Sequence, residues 1–221
     1  MIRIYASAIL RSADMKKRLD ARQITATCFL MIISACDRTG AQNGGDPSEA
    51  ISHDLGPFFR AETAMYDSMR AAIGTSSGGN WVRMMIAHHE GGAALSRMLL
   101  QENPSPQIRT LAMHTVRAQE RAVRELEKLL RDGPTDLESA LVYLRPIQKM
   151  HDATTGVFGP GLSRVWLRKM IEHHRGAIEM SNVLLKRPGV PTDTANAVRK
   201  LRNEQVKEMK VLKRAREALE A

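Results

Sequence analysis

The sequence predicts an all-α fold: a four-helix bundle made from two copies of one helical unit, with two shorter helices added. Two segments that begin at Trp81 and Trp166, 85 positions apart, each place methionine and two adjacent histidines in a helical pattern. No segment shows the sustained apolar and polar alternation of a half-buried strand. The chain of 221 residues is poor in aromatic residues (4%) but contains 13 methionines, which suits an aliphatic, sulfur-rich helical core.

The duplication extends beyond the two histidine segments. Met65 recurs as Met150 and Gly74 as Gly159, again 85 positions apart. A repeat of this length exceeds that of a solenoid repeat, so it indicates two copies of one small domain. We assign residues 57–133 to unit one and residues 134–221 to unit two, and we expect the units to pack together because one alone is small for a stable core.

Residues 1–36 are predicted to be a signal peptide. A basic segment that begins at Met15, an alternative start, precedes an apolar run over residues 24–35, which is too short for a transmembrane helix. The run ends in Ile-Ser-Ala-Cys, which resembles a bacterial lipobox and predicts lipidation at Cys36. Asp37 resembles the signal that retains lipoproteins in the inner membrane. A plain secretory signal and a short buried helix remain alternatives.

Export predicts a location at the periplasmic face of the inner membrane, or in the periplasm or medium if no lipid is attached. Residues 37–56 are rich in Gly, Pro and small polar residues and are predicted to be a flexible tether. Loss of the signal removes six Lys or Arg and two Asp, which lowers the net charge from +9 to +5. The remaining basic residues are scattered and accompany no aromatic stacking set, so we expect no nucleic-acid partner.

The helices are predicted in order by apolar periodicity and by Gly and Pro turns. They span residues 57–72, 81–102 and 107–131 in unit one, and residues 136–153, 163–186 and 193–220 in unit two. Asn80 is predicted to cap the second helix, and Thr192 or Asp193 the last. Short turns with proline should fold each histidine-bearing helix against the helix that follows it.

The histidine segment of unit two has the composition of a metal site. On a helix Met170, His173 and His174 fall on one stripe, and Met180 lies two turns beyond His173. Thioether and imidazole ligands together favour Cu(I) or Ag(I), whereas imidazole with carboxylate or water favours Cu(II). In unit one the matching residues are Met85, His88 and His89.

The segment from residue 170 to residue 181 resembles the signature of the family called domain of unknown function 305, and the resemblance covers residues 57–221. It implies a ferritin-like helical fold, tandem units, export, and binding of copper or silver by Met/His-rich members. The implied ligand positions in unit two are Met170, His173, His174, Met180, Met150 and His151.

Unit one departs from this family pattern at two positions. Tyr66 stands where a histidine is expected, and Leu95 stands where unit two has Met180. We therefore expect the site of unit two to be the better one, and that of unit one to be weakened or purely structural.

The predicted function is metal binding in copper handling or resistance, with copper (Cu(I) favoured) or silver as the bound ion. Di-iron chemistry is not expected because neither histidine helix carries a Glu-x-x-His arrangement. No hydrolase triad, phosphate loop or thiol nucleophile is present either, so we expect no enzyme. The alternative is a helical interaction module tethered to the membrane, with the histidines packed between units. A homo-oligomer or a periplasmic metal-transfer partner stays open.

Overall fold

The computed structural model describes residues 56–221, and all regular structure in this range is helical. The elements are α1 (Phe59–Ala71), α2 (Ser77–Gln101), α3 (Pro106–Glu127), α4 (Leu137–Ala140), a 3-10 turn (Leu141–Tyr143), α5 (Leu144–Thr155), α6 (Leu162–Leu185) and α7 (Thr192–Glu220). No strand occurs in the described range, so the prediction of an all-α fold is confirmed. The predicted signal peptide, the lipidation site at Cys36 and nearly all of the tether lie outside it.

The four long helices form two hairpins, α2 with α3 and α6 with α7, joined by short turns. The hairpins meet through α2 and α6, whereas α3 and α7 approach each other at only a few positions. Helices α1 and α5 pack against each other and against α2 and α6, respectively. The result is a helical bundle with α2 and α6 at its centre. None of the helices within residues 56–221 combines the length and apolarity needed to cross a bilayer.

Glycine allows the short helices to approach the central ones. A Cβ atom at Gly91 would lie 2.5 Å from the Sδ of Met65, and a Cβ atom at Gly176 would lie 2.4 Å from the Sδ of Met150. The two contacts are equivalent, 85 positions apart, so the duplication seen in the sequence is also a duplication of packing.

The start of α2 differs from the prediction. Ser76, not Asn80, is the N-cap, and its hydroxyl accepts a hydrogen bond from a backbone N–H in the first turn. Asn80 lies inside the helix and is fully buried. Its side chain accepts from the Gly74 N–H (2.6 Å) and donates to the Asp136 carbonyl (2.8 Å). Asn80 therefore ties the turn before α2 to the start of unit two.

Two further predictions are corrected. The helix predicted over 136–153 is split into α4, a 3-10 turn and α5, because Pro146 has no N–H to continue the helical ladder across that point. Neither Thr192 nor Asp193 caps α7, whose N-cap is Pro191 without a side-chain bond. The Asp193 carboxylate instead accepts from the Thr194 N–H inside the first turn (2.7 Å).

Candidate metal centre

His88 and His89 on α2 meet His173 and His174 on α6, and we call these four residues the histidine cluster. All four side chains are fully buried. The rings of His88 and His173 stack with their centroids 3.6 Å apart and their planes at 17°. The two histidine pairs therefore form one cluster between the units rather than two separate groups.

A second pair of stacked rings also joins equivalent positions of the two units. The rings of Tyr66 and His151 lie 4.2 Å apart at 21°, and these positions also differ by 85. Two residues at equivalent positions of a duplication contact each other only close to the local twofold axis that relates the copies, so this axis passes through both stacks. Tyr66, the departure from the family pattern, supplies a flat ring opposite His151, which is half-buried.

Three of the four rings in the histidine cluster have nitrogens that lack a hydrogen-bond partner. The Nε2–H of His88 donates to the backbone carbonyl of His173 (3.1 Å), and Nδ1 of His89 makes a short contact with Oε1 of Gln119. Nδ1 of His88, Nε2 of His89 and both nitrogens of His173 are buried and have no hydrogen-bond partner among the described residues.

His174 differs, because both of its nitrogens face acceptors. Nδ1 lies 2.7 Å from the Met170 carbonyl and Nε2 lies 2.9 Å from the Glu208 carboxylate. The Nε2–H of His174 therefore donates to the Glu208 carboxylate. Burial raises the pKa of Glu208, but the hydrogen bond and charge of His174 outweigh burial and bring that pKa below its usual value.

The other three imidazoles are neutral at pH 7. Burial, with the charges of neighbouring histidines, lowers the pKa of His88 and of His173 well below the usual value of 6.5. Burial also lowers the pKa of His89 to about 4, against the opposing effect of its hydrogen bond to Gln119. Neutral imidazole is the form that binds metals.

The donor atoms fit a metal in type but do not converge on it. Within residues 56–221, no three His, Cys, Asp or Glu side chains are placed around a common point where they could hold an ion. The stack of His88 on His173 keeps two of the rings parallel. Ligation by these rings therefore requires that the side chains turn.

The predicted methionine ligands are divided between two parts of the core. Met170 and Met180 are both fully buried, but ten residues of helix, about 15 Å along the axis, separate them. Met170 packs in one apolar cluster with residues of α3 and α7, including Ile108 and Leu212. The other predicted thioethers share the second cluster, namely Met85, Met150 and Met180.

Three residues that contact the cluster were not predicted, namely Gln119, Glu208 and Gly92. A Cβ atom at Gly92 would lie 2.5 Å from Nε2 of His173, so the ring occupies the space of the missing side chain. Gln119 carried a detectable signal, because it recurs as Gln205 86 positions later and both are buried. Glu208 carried none, since charged residues are frequent on α7.

The fold and this site define a class of protein: an all-helical bundle with duplicated histidine pairs buried on a local twofold axis. The chain belongs to the family described as Domain of unknown function (DUF305), whose model matches residues 11–130 and 146–216. It is similar to the crystal structure of a DUF305 fragment from Deinococcus radiodurans, with 20% identity, 66% of this chain and 99% of that chain covered, and a TM-score of 0.48. No curated protein matches the chain.

Proposed function

We propose that the protein binds a soft or borderline metal ion through the histidine cluster, Cu(I) or Ag(I) in preference to Cu(II), and serves in copper handling or resistance. The observation that carries the proposal is the set of four unpartnered, buried nitrogens on His88, His89 and His173. A buried polar atom without a partner costs about 1–3 kcal/mol. Phenylalanine or leucine would fill the same space without this cost, so a bound ion accounts for imidazole here.

The residues that would hold the ion are His88, His89 and His173, since the nitrogens of His174 already bind Met170 and Glu208. Neutral nitrogen donors together with thioether sulfur suit Cu(I) and Ag(I), and nitrogen with carboxylate suits Cu(II). Two thioethers, those of Met65 and Met150, pack against Gly91 and Gly176. Each of these glycines lies within two residues of a histidine pair.

The proposed location follows from the N-terminal sequence. The signal peptide would direct export, and the lipid on Cys36 with the tether would hold the bundle at the periplasmic face of the inner membrane. There it could take up copper or silver or pass it to a partner. Removal of the signal would also remove Cys28. The lipid would occupy the thiol of Cys36, so the mature bundle would bind metal without thiolates.

The second candidate is a helical interaction module in which the histidines only pack. It is favoured by the two backbone hydrogen bonds of the cluster, from His88 to the His173 carbonyl and from His174 to the Met170 carbonyl. The unpartnered nitrogens do not support it.

Metal titration with a shape-conserving variant separates the candidates. Residues 37–221 without a tag are titrated in parallel with Cu(I), Ag(I), Cu(II) and Zn(II). His173→Phe keeps a flat ring on His88 and removes two unpartnered nitrogens, so we expect about 100-fold weaker binding of Cu(I) and Ag(I). His114→Phe, at an exposed position on α3, is the matched control and should bind like the parent. Unchanged Cu(I) affinity in a folded His173→Phe protein would favour the interaction module.

A further inference from the structure

The bundle is open along one side, between α3 and α7. A cleft of about 320 Å³ separates these helices, which approach each other at only a few positions. Its lining residues are Ala118, Arg121, Ala122, Arg124 and Glu125 from α3, with Lys200, Leu201, Glu204, Gln205 and Glu208 from α7. This is the side of α2 and α6 on which Gln119 and Glu208 contact the histidine cluster.

The floor of the cleft is in direct contact with the cluster. Glu208 lines the cleft with 21% of its side chain exposed, and its carboxylate bonds to His174, which is fully buried. Gln205 lines the cleft as well and is only 4% exposed, yet its Oε1 atom has no hydrogen-bond partner. A single layer of polar side chains therefore lies between the cleft and the cluster.

The walls of the cleft favour small solutes of either charge. Ala118 and Ala122 give α3 a small-residue wall opposite α7. The lining has three basic and three acidic residues, so their charges balance. Among the described ion pairs, none joins a lining residue of α3 to a lining residue of α7. Size rather than charge should decide what enters.

The other cleft that reaches the cluster is smaller. It holds about 260 Å³ between α2 and α3 and includes His89. The ion pair of Arg97 with Glu120 joins its two helices, so this side is bridged where the other is not.

We propose that the cleft between α3 and α7 is the route by which small solutes, metal ions among them, reach the histidine cluster, and that Glu208 closes its floor. The statement about metal rests on the proposed function. The route itself rests only on the packing of α3, α7 and the residues beneath them.

Acylation of histidine tests the route without metal. Diethyl pyrocarbonate attacks neutral imidazole, and peptide mass spectrometry measures the rate at each histidine, with N-acetylhistidine in the same tube as the reference. Ala118→Phe fills the cleft and should slow acylation of the cluster by about tenfold, which corresponds to about 1.4 kcal/mol of added barrier. Arg117→Phe places the same ring on the neighbouring exposed position and should leave the rates unchanged.

A second variant, which should raise the acylation rate rather than lower it, keeps the test decisive if Ala118→Phe is poorly folded. Glu208→Ala removes the floor, so acylation of His89, whose ring is neutral with or without that carboxylate, should accelerate by about tenfold or more relative to the parent. Cluster acylation that is equal in the parent, Ala118→Phe and Glu208→Ala, or that follows the rate of global unfolding in all of them, would overturn the route.

Stopped-flow uptake of Ag(I) by the same proteins separates the two proposals. Slower uptake in Ala118→Phe with unchanged stoichiometry supports both. Slower acylation in Ala118→Phe than in the parent, when the parent binds no Ag(I) or Cu(I), overturns the metal function and supports the route. Normal uptake and normal acylation in Ala118→Phe overturn the route and leave the metal function standing.

Discussion

The two units carry the same histidine pair but place different partners beside it. In unit one His89 contacts the amide of Gln119, whereas in unit two His174 bonds to the carboxylate of Glu208. At the 86-residue offset of α3 and α7, the counterpart of Glu208 is Ala122. One change on a neighbouring helix therefore gives one half of the cluster a carboxylate partner where the other half has a neutral amide, while the histidines themselves are kept.

Beside the cluster, charged residues at one pair of positions correspond to apolar residues at the equivalent pair. Lys169 and Glu62 form a buried ion pair at 2.8 Å, and Lys169 also donates to the Thr154 carbonyl (2.7 Å). At the equivalent positions stand Met84 and Ile147, which pack in the apolar core. Burial raises the pKa of Glu62 despite its partner. An ion pair between the units therefore stands on one side of the cluster where apolar packing between the units stands on the other.

Acid should destabilise the fold through the three neutral histidines of the cluster. This is the largest effect on stability that we expect. The pKa values of His88, His89 and His173 are lowered in the fold, so their contribution to stability is complete above pH 6.5. It is lost as the pH falls below 6.5, because the unfolded chain then takes up protons that the folded chain refuses. For His89, with a pKa of about 4, the loss amounts to about 3 kcal/mol once the pH is below 4, of which about 2 kcal/mol is lost by pH 5.

Urea unfolding of the metal-free protein between pH 8 and pH 5 measures this loss. His173→Phe should show a shallower decline than the parent. Stability that is constant over this range would mean that the rings are already protonated or solvated in the fold.

The ion pair of Lys169 with Glu62 should be replaceable by its apolar counterpart, Met84 with Ile147. Lys169→Met alone leaves Glu62 buried without a partner and should cost about 3–5 kcal/mol of unfolding free energy. The double variant Glu62→Ile with Lys169→Met copies Ile147 and Met84, and it should be as stable as the parent or more so. Chemical denaturation of the three proteins gives the comparison. A double variant as unstable as the single one would show that the units are not interchangeable here.

The two histidines of unit two should respond oppositely to phenylalanine. His174→Phe loses two hydrogen bonds and leaves Glu208 without the donor of His174, at a cost of about 2–3 kcal/mol after allowance for the partial exposure of the carboxylate. His173→Phe loses no hydrogen bond of its ring and should be neutral or stabilising without metal. Equal losses in thermal unfolding would contradict the difference in bonding described for these neighbours.

The sequence was sufficient to predict the helices and the residues they carry, because periodicity and Gly or Pro turns are local signals. It placed His88, His89, His173 and His174 on two helices of an all-α fold, and the fold was confirmed. It did not predict that these residues would share one cluster, since stacking across a local twofold axis is set by how the units dock. The choice of unit two as the better site stays a prediction, and two of the four unpartnered nitrogens of the cluster lie in each unit.

The errors have local physical causes. Ser76 rather than Asn80 caps α2, because the Asn80 side chain binds the neighbouring chain segments at Gly74 and Asp136. The break before α5 was missed although Pro146 marks it. Glu208 could not be singled out, since nothing local distinguishes a carboxylate that bonds a buried histidine from one that faces water.

Cu(I) titration of His88→Phe and His173→Phe, one variant from each unit, tests most directly whether the two motifs make one shared metal site. Competition with a Cu(I) chelator under nitrogen gives affinity and stoichiometry, with circular dichroism to confirm the fold. A shared site predicts that either single change removes essentially all of the tight binding of the parent. Retention of half the parent stoichiometry in each variant would show two independent sites, and full retention in both would show that the histidine cluster is not the metal centre.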